Sequence, residues 1–395
     1  MNLRNKKFLI TQNDISSING SSITVLELAE YLIEQGSSVV VYTYFLNEPL
    51  DRVFRERNIH VVVDENDLSI LDFDYIWVHH QVLPLSIIKQ LGVKSKSTIP
   101  KFIFNHMSSI DQIADEFPYI WDLENRLSSL SLFNSVETKN KQAAYLSRKI
   151  RFDIFPNPAP RKFYQSYSKQ SGELRKILVV SNHPPDELIN IDRYLQKHNI
   201  EIHFMGEFQE DYRIIEPELL ASYDVIVTIG KTVQYCLVQN IPVYIYDHFG
   251  GPGFLNVNNY EKTSQNNFSG RGFEKKTSND IALDLVEKYI DAVNYQSKNH
   301  KQFKNKYALE NVFSRVMDRA GEIPKSNFNK SYINYLITSH NYSREHRIAS
   351  RLRVISNNRL KKAIKELDQI EKSFSYKIGR LLTWPVRVIR GKLKK

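Results

Sequence analysis

The stretch SYDVIVTIGKTVQYCLVQNIPVYIYDHFGGPGF, residues 222–254, decides the fold. VIVTI and VYIYD are apolar on both faces, the mark of strands buried in a parallel sheet. Between them Gly230 closes the first run, and KTVQYCLVQN has the length of about three helical turns. Strand, helix and strand with short joints form a crossover unit, the building block of doubly wound α/β folds.

The same alternation extends outward in both directions. Upstream, KILVVS (176–181) and residues 201–205 read as further strands of the same half. FPNPAPRKF precedes them, and Pro156, Pro158 and Pro160 at alternate positions exclude both a helix interior and a central strand, so this is a linker. Before it come KFLIT (7–11), SVVVYTY (38–44), HVVVD (60–64), DYIWVHH (74–80), KFIFNH (101–106) and LSLFNS (130–135), again strand-like. Val25, Leu28, Ala29 and Leu32 repeat at helical spacing between the first two and stop near Gly36. Downstream, helices are expected at 277–294 and near 299–320. The fold class is therefore α/β with two Rossmann-like domains: 1–155, a linker at 156–170, and 171–322. Residues 323–395 are expected to be a linker or packing segment (325–343), a charged helix (344–372) and a basic amphipathic tail.

Composition narrows the function. At 395 residues, with 42% hydrophobic and 25% charged, the chain has globular proportions. Its single cysteine, Cys236, lies in an apolar helical run and reads as a buried residue in a reducing compartment. The 11 histidines include no HExxH pattern, so no metal and no cofactor is expected. No uncharged apolar run approaches the roughly 18 residues that span a bilayer, and Phe8–Ile10 is too short for a signal-peptide core. The expected location is the cytoplasm. Of the net charge of +10, residues 344–395 contribute +12 (16 Lys+Arg, 4 Asp+Glu), which leaves −2 for residues 1–343.

Several strand-end loops carry ligand chemistry. Gly20 follows the first strand and opens a helix, where unpaired N–H groups face an anion, although a plain helix start reads the same way. Gly230, Lys231 and Thr232 combine a helix start, a cation and a hydroxyl; Val225 stands where a Walker A loop needs glycine, so ATP hydrolysis is disfavoured. Asp247 and His248 end a strand ahead of Gly250, Gly251 and Gly253, whose density suggests a concave rim of N–H donors. Arg271, between two glycines in NNFSGRGF (266–273), offers a bidentate fork to phosphate or is a solvated hairpin arginine. In the first half, His106 ends a strand in KFIFNHMSSID, and of His79 and His80 alternation lets only one face a cleft.

These residues together resemble the GT-B class of nucleotide-sugar glycosyltransferases. INGSSITVLELAEYLIEQGSSVVVYTY (18–44) is similar to its first-domain opening, FPNPAP (155–160) to its interdomain segment, and residues 222–254 to its donor-binding core; the likeness spans about residues 7–320. DHFGGPG with NFSGRG also resembles transferases of bacterial capsule and cell-wall polysaccharides. The resemblance implies that His106 faces the reacting sugar as a catalytic base, that Gly20 lies near the donor diphosphate, and that Lys231, Thr232 and Gly250–Gly253 hold the nucleotide. One departure stands out. The retaining members carry a pair of glutamates, the second five residues after the loop glycine, and here that position is Tyr235, leaving Asp247 or Glu261 for the ribose.

The expected function is transfer of a sugar from a nucleoside-diphosphate sugar to a lipid-linked glycan; a nucleotide-sugar epimerase and a catalytically silent partner subunit remain as alternatives. Nucleic acid is not an expected partner, because the body offers no binding module for it. An anionic membrane is. Phe374, Ile378, Leu381 and Leu382 form an apolar stripe that continues past Trp384, while Lys377, Arg380, Arg387 and Arg390 supply positive charge, a pairing that suits an in-plane anchor.

Overall fold

The computed structural model describes residues 3–92, 99–110, 112–167, 172–207, 209, 211–322 and 328–383. Two sheets organise the chain. The first contains β1 (Lys7–Ile15), β2 (Ser38–Leu46), β3 (His60–Val62), β4 (Tyr75–His79), β5 (Lys101–His106), β6 (Ser128–Phe133) and β7 (Phe152–Ile154). Their order is β3-β2-β1-β4-β5-β6-β7, and every pair is parallel. The second contains β8 (Lys176–Val180), β9 (Glu201–Met205), β10 (Val225–Thr228), β11 (Val243–Asp247) and β12 (Gly250–Phe254), in the order β12-β11-β10-β8-β9. All its pairs are parallel except β11 with β12. The strands expected from sequence are present; β7 and β12 are additional, being too short or too glycine-rich to show an apolar run.

The helix Gly20–Glu34 packs Val25, Leu28, Ala29 and Leu32 on the first sheet. Its start is set by Asn19, whose Oδ1 accepts the N–H groups of Ser21 and Ser22, and its end by Gly36 in the left-handed region (φ +82°). Beside it lies the helix Leu309–Arg319, expected within the second domain. Its Val312, Phe313 and Val316 join the core of the first sheet, and Phe313 stacks on the buried Trp77 at 6.0 Å. Each such side chain contributes roughly 1.5–3 kcal/mol by leaving water, which is enough to draw the chain back across the domain boundary. The other face of that sheet also collects a late segment. Ile333 and Leu336 pack with Leu123 and Phe104, so the stretch expected as a linker or packing segment packs, and the helix Lys330–Lys372 begins inside it.

Contact density divides the chain into Met1–His340, which holds both sheets, and Asn341–Lys395. In the second unit Leu352, Leu360, Ile364, Leu367 and Ile370 are exposed on the long helix. Ser373 then caps a short helix, Phe374–Leu382, by accepting the Tyr376 N–H. Phe374, Leu381 and Leu382 are each more than 70% exposed there, and Ile378 is 40% exposed, with Lys377 and Arg380 on the same helix. Trp384, Arg387 and Arg390 lie outside the described residues. Among the described residues no helix is long and apolar enough to cross a membrane.

Candidate functional site

In a doubly wound sheet the crevice opens where the strand order reverses, at the carboxyl ends of the two strands that flank the reversal. In the first sheet these are β1 and β4, and in the second β8 and β10. All four ends feed one cleft of about 530 Å³. Ile18–Ser21 follow β1, His80 follows β4, Ser181–His183 follow β8, and Ile229–Thr232 follow β10. The two halves are tied across it. The Tyr212 hydroxyl accepts the Ile18 N–H at 2.7 Å, and the Asn182 side-chain amide donates to the Ile18 carbonyl at 3.1 Å.

Gly20, Gly230, Lys231, Thr232, Asp247 and His248 line this cleft, as expected from sequence. Gly230 stands at φ +59° and ψ −133°, a conformation reserved for glycine, and turns the chain from β10 into the helix Lys231–Gln239. No side-chain cap bond closes that helix, and its first residues, Lys231 and Thr232, line the cleft at the positive end of the helix dipole.

Lys231 is not a free cation. Its ammonium sits 2.7 Å from Glu27 of the helix Gly20–Glu34 and donates to the Pro158 carbonyl at 3.1 Å, with both side chains 5% exposed. Burial lowers its pKa and the Glu27 carboxylate opposes that. The Tyr235 hydroxyl donates to the same carboxylate, and the Tyr235 ring stacks on Phe163 at 4.0 Å. So the tyrosine that stands in place of a glutamate binds a glutamate from the other half. Asp247 is also engaged: its two oxygens accept the backbone N–H groups of Phe249 (2.7 Å) and Gly270 (3.0 Å). Glu261 is exposed on the helix Tyr260–Gln265 and does not line the cleft.

Five expected site residues lie elsewhere. Gly250, Gly251 and Gly253 form β12, not an open rim. A Cβ on Gly251 would come within 2.1 Å of the Ile245 carbonyl, and one on Gly250 within 2.3 Å of the Glu274 carbonyl. Close backbone packing accounts for Gly250 and Gly251, and a left-handed backbone (φ +80°) for Gly253. Arg271 directs its fork at Glu137, with Nε–Oε1 3.0 Å and Nη2–Oε2 2.6 Å, which makes it a bridge between the halves. His106 ends β5, but Met107 is the residue that reaches the cleft. The His106 ring is 3% exposed; its Nε2 donates to Glu124 at 3.0 Å, and its Nδ1 lies 3.7 Å from Glu116. Burial alone would lower its pKa. The Glu124 and Glu116 carboxylates overcome that and raise it to about 10. An imidazole that keeps its proton at neutral pH cannot take another, so this environment does not suit His106 to the base role expected from the resemblance.

His80 lines the cleft, while His79 is buried in the sheet beside Asn105. Asn182 and His183 were missed, although applying the strand-reversal rule to KILVVSNH finds them.

Two facing Rossmann-like domains whose strand-reversal points share one cleft define the GT-B fold. Solved structures share it, among them the following two. A glycosyltransferase from Rickettsia africae ESF-5 matches at 11% identity with a TM-score of 0.53, over 80% of this chain and 97% of that one. S. aureus MnaA, solved with UDP, matches at 13% and 0.50, over 82% and 100%. No family model matches the sequence, and no curated protein does.

Proposed function

We propose that this protein transfers a sugar from a nucleoside-diphosphate sugar to a hydroxyl of a lipid-linked glycan in surface-polysaccharide synthesis, at the inner face of the membrane. The observation that carries the reading is the uncapped helix start Gly230–Thr232, which faces the cleft at the second domain's strand reversal. A departing diphosphate gains charge there, and preorganised N–H groups stabilise it without reorganising. UDP in the MnaA structure supports a nucleoside diphosphate as the ligand. The first-domain wall supports an amphipathic acceptor: Ile113 lines the cleft and is 40% exposed, and Phe117, one turn on, is 43% exposed.

UDP is expected to raise the melting temperature, since a ligand of the native state adds about 2.7 kcal/mol at a hundredfold excess over Kd. A panel of UDP- and dTDP-sugars, each with and without an extracted lipid-linked acceptor, then separates the readings. Product that appears only with acceptor supports transfer. Conversion of the free donor means an epimerase, and neither UDP binding nor turnover means a silent partner.

The tail has its own test. With each Lys or Arg near an anionic leaflet contributing about 1 kcal/mol, deletion of residues 374–395 should release the protein from anionic vesicles and leave its UDP-induced thermal shift intact. Vesicle binding by the intact chain should weaken as salt rises. Equal sedimentation of truncated and intact chains would remove the anchor.

A further inference from the structure

We propose that the helix Lys330–Lys372 pairs, over residues 352–371, with the same helix of a second copy of this chain, in antiparallel orientation. Among the described residues the second unit leaves an apolar face exposed. Leu352, Leu360, Ile364, Leu367 and Ile370 are each more than half exposed on this helix. At 3.6 residues per turn these five and Ala363 fall within a sector of about 120°, the width of a stripe that packs on another element. Exposed apolar stripes of this kind mark interaction sites. With 43 residues the helix is also far longer than the usual element of a globular domain, and such length is typical of paired helices.

Charge selects the partner. Arg353 and Glu371 lie on the stripe itself, towards its two ends, and both are exposed. Arg359 and Glu366 flank the stripe on one side, Lys361 and Asp368 on the other, and all four are exposed. In each pair the cation precedes the carboxylate along the chain. A two-fold axis perpendicular to the helix near Ala363 carries each flank onto the same flank of the second copy, with the direction reversed. Arg353 then meets Glu371 of the second copy, Arg359 meets its Glu366 and Lys361 its Asp368, all to within about one helical turn. Leu360 faces Leu367, and Ala363 faces Ile364. A parallel pair would set Arg353 beside Arg353 and Glu371 beside Glu371, and flanking charges of like sign disfavour that order.

Asp368 also meets Lys372 of its own helix at 2.7 Å, an exposed contact of the kind that contributes little. The same charges argue against a lipid surface as the occupant. Glu366, Asp368 and Glu371 crowd one end of the stripe and suit an anionic leaflet poorly, whereas residues 374–395 contain no acidic residue.

The test is the mass of the full chain in lipid-free solution, read by sedimentation equilibrium as concentration rises. A dimer is expected. Leu360→Glu with Leu367→Glu places good helix formers at exposed positions, so the melting temperature should hold while the mass falls to that of one chain. Reversing the acidic half alone, with Glu366→Lys, Asp368→Lys and Glu371→Lys, should raise the dimer Kd about tenfold or more. Adding Arg353→Glu, Arg359→Glu and Lys361→Glu should restore it, because each pair is then reversed as a whole. A wild type still monomeric at about 100 µM, where a complex with Kd of about 1 µM is almost fully formed, overturns the proposal. If the leucine variant of that monomer also leaves anionic vesicles, the stripe belongs to lipid. Equal association of the half-reversed and wild-type chains overturns the antiparallel pairing.

Discussion

His106→Gln should destabilise the protein by about 3–5 kcal/mol at pH 6.5, the usual cost of removing one partner from a buried ionic cluster. Glu116 and Glu124 are fully buried, and the His106 imidazolium is the positive charge placed between them. Glutamine preserves the shape of one hydrogen bond and none of the charge. The effect also has a direction in pH. An ordinary histidine titrates near 6.5, and the folded protein raises His106 to about 10. A raised folded pKa adds stability that is complete below the unfolded value and is lost as pH climbs through the folded one. The gap in urea midpoint between wild type and variant should therefore be widest near pH 6.5 and narrow steadily towards pH 10. Equal midpoints at pH 6.5, with transfer abolished, would return His106 to the role of catalytic base.

Glu27→Ala should cost a similar amount, about 3–5 kcal/mol, for a related reason. The substitution leaves the Lys231 ammonium buried with the Pro158 carbonyl and the Tyr235 ring but no counter-ion, and it removes the acceptor of the Tyr235 hydroxyl. Here the lost contacts join two halves of the molecule, since Glu27 belongs to the helix after β1 and Lys231 and Tyr235 to the helix after β10. Urea denaturation measures the loss. Lys231→Met in the Glu27→Ala background should recover part of it, because an apolar side chain needs no counter-ion. A loss below about 1 kcal/mol in Glu27→Ala would mean that the pair does not form in solution.

Much of this architecture was legible in the residues alone. Buried parallel strands are apolar on both faces, so VVVYTY, DYIWV, DVIVTI and PVYIY announce themselves without knowledge of their neighbours. Helix starts at strand ends are equally local, which is why Gly20 and Gly230–Thr232 were found and do line the cleft. The GGPGF stretch misled for the opposite reason. Glycines serve a ligand loop and a close backbone crossing alike, and only the Ile245 and Glu274 carbonyls beside them tell the two apart.

The remaining choices were made by tertiary structure, because each depends on a partner distant in the chain. The charge on Arg271 is spent on Glu137, 134 residues away, and that on Lys231 on Glu27. The helix Leu309–Arg319 returns to the first sheet because Trp77 and Phe155 offer an apolar surface there. Between the histidines at neighbouring strand ends, the resemblance favoured His106, and nothing in the spacing could show what stood behind it. His106 found two carboxylates behind it and became a fixed cation; His80 was turned by two left-handed residues into the cleft. Local sequence determines which segments are strands and helices, since periodicity and turn chemistry act within a few residues. Which charges remain free for a ligand is decided only when the halves meet, because Coulomb pairing and burial depend on distances that the fold alone creates.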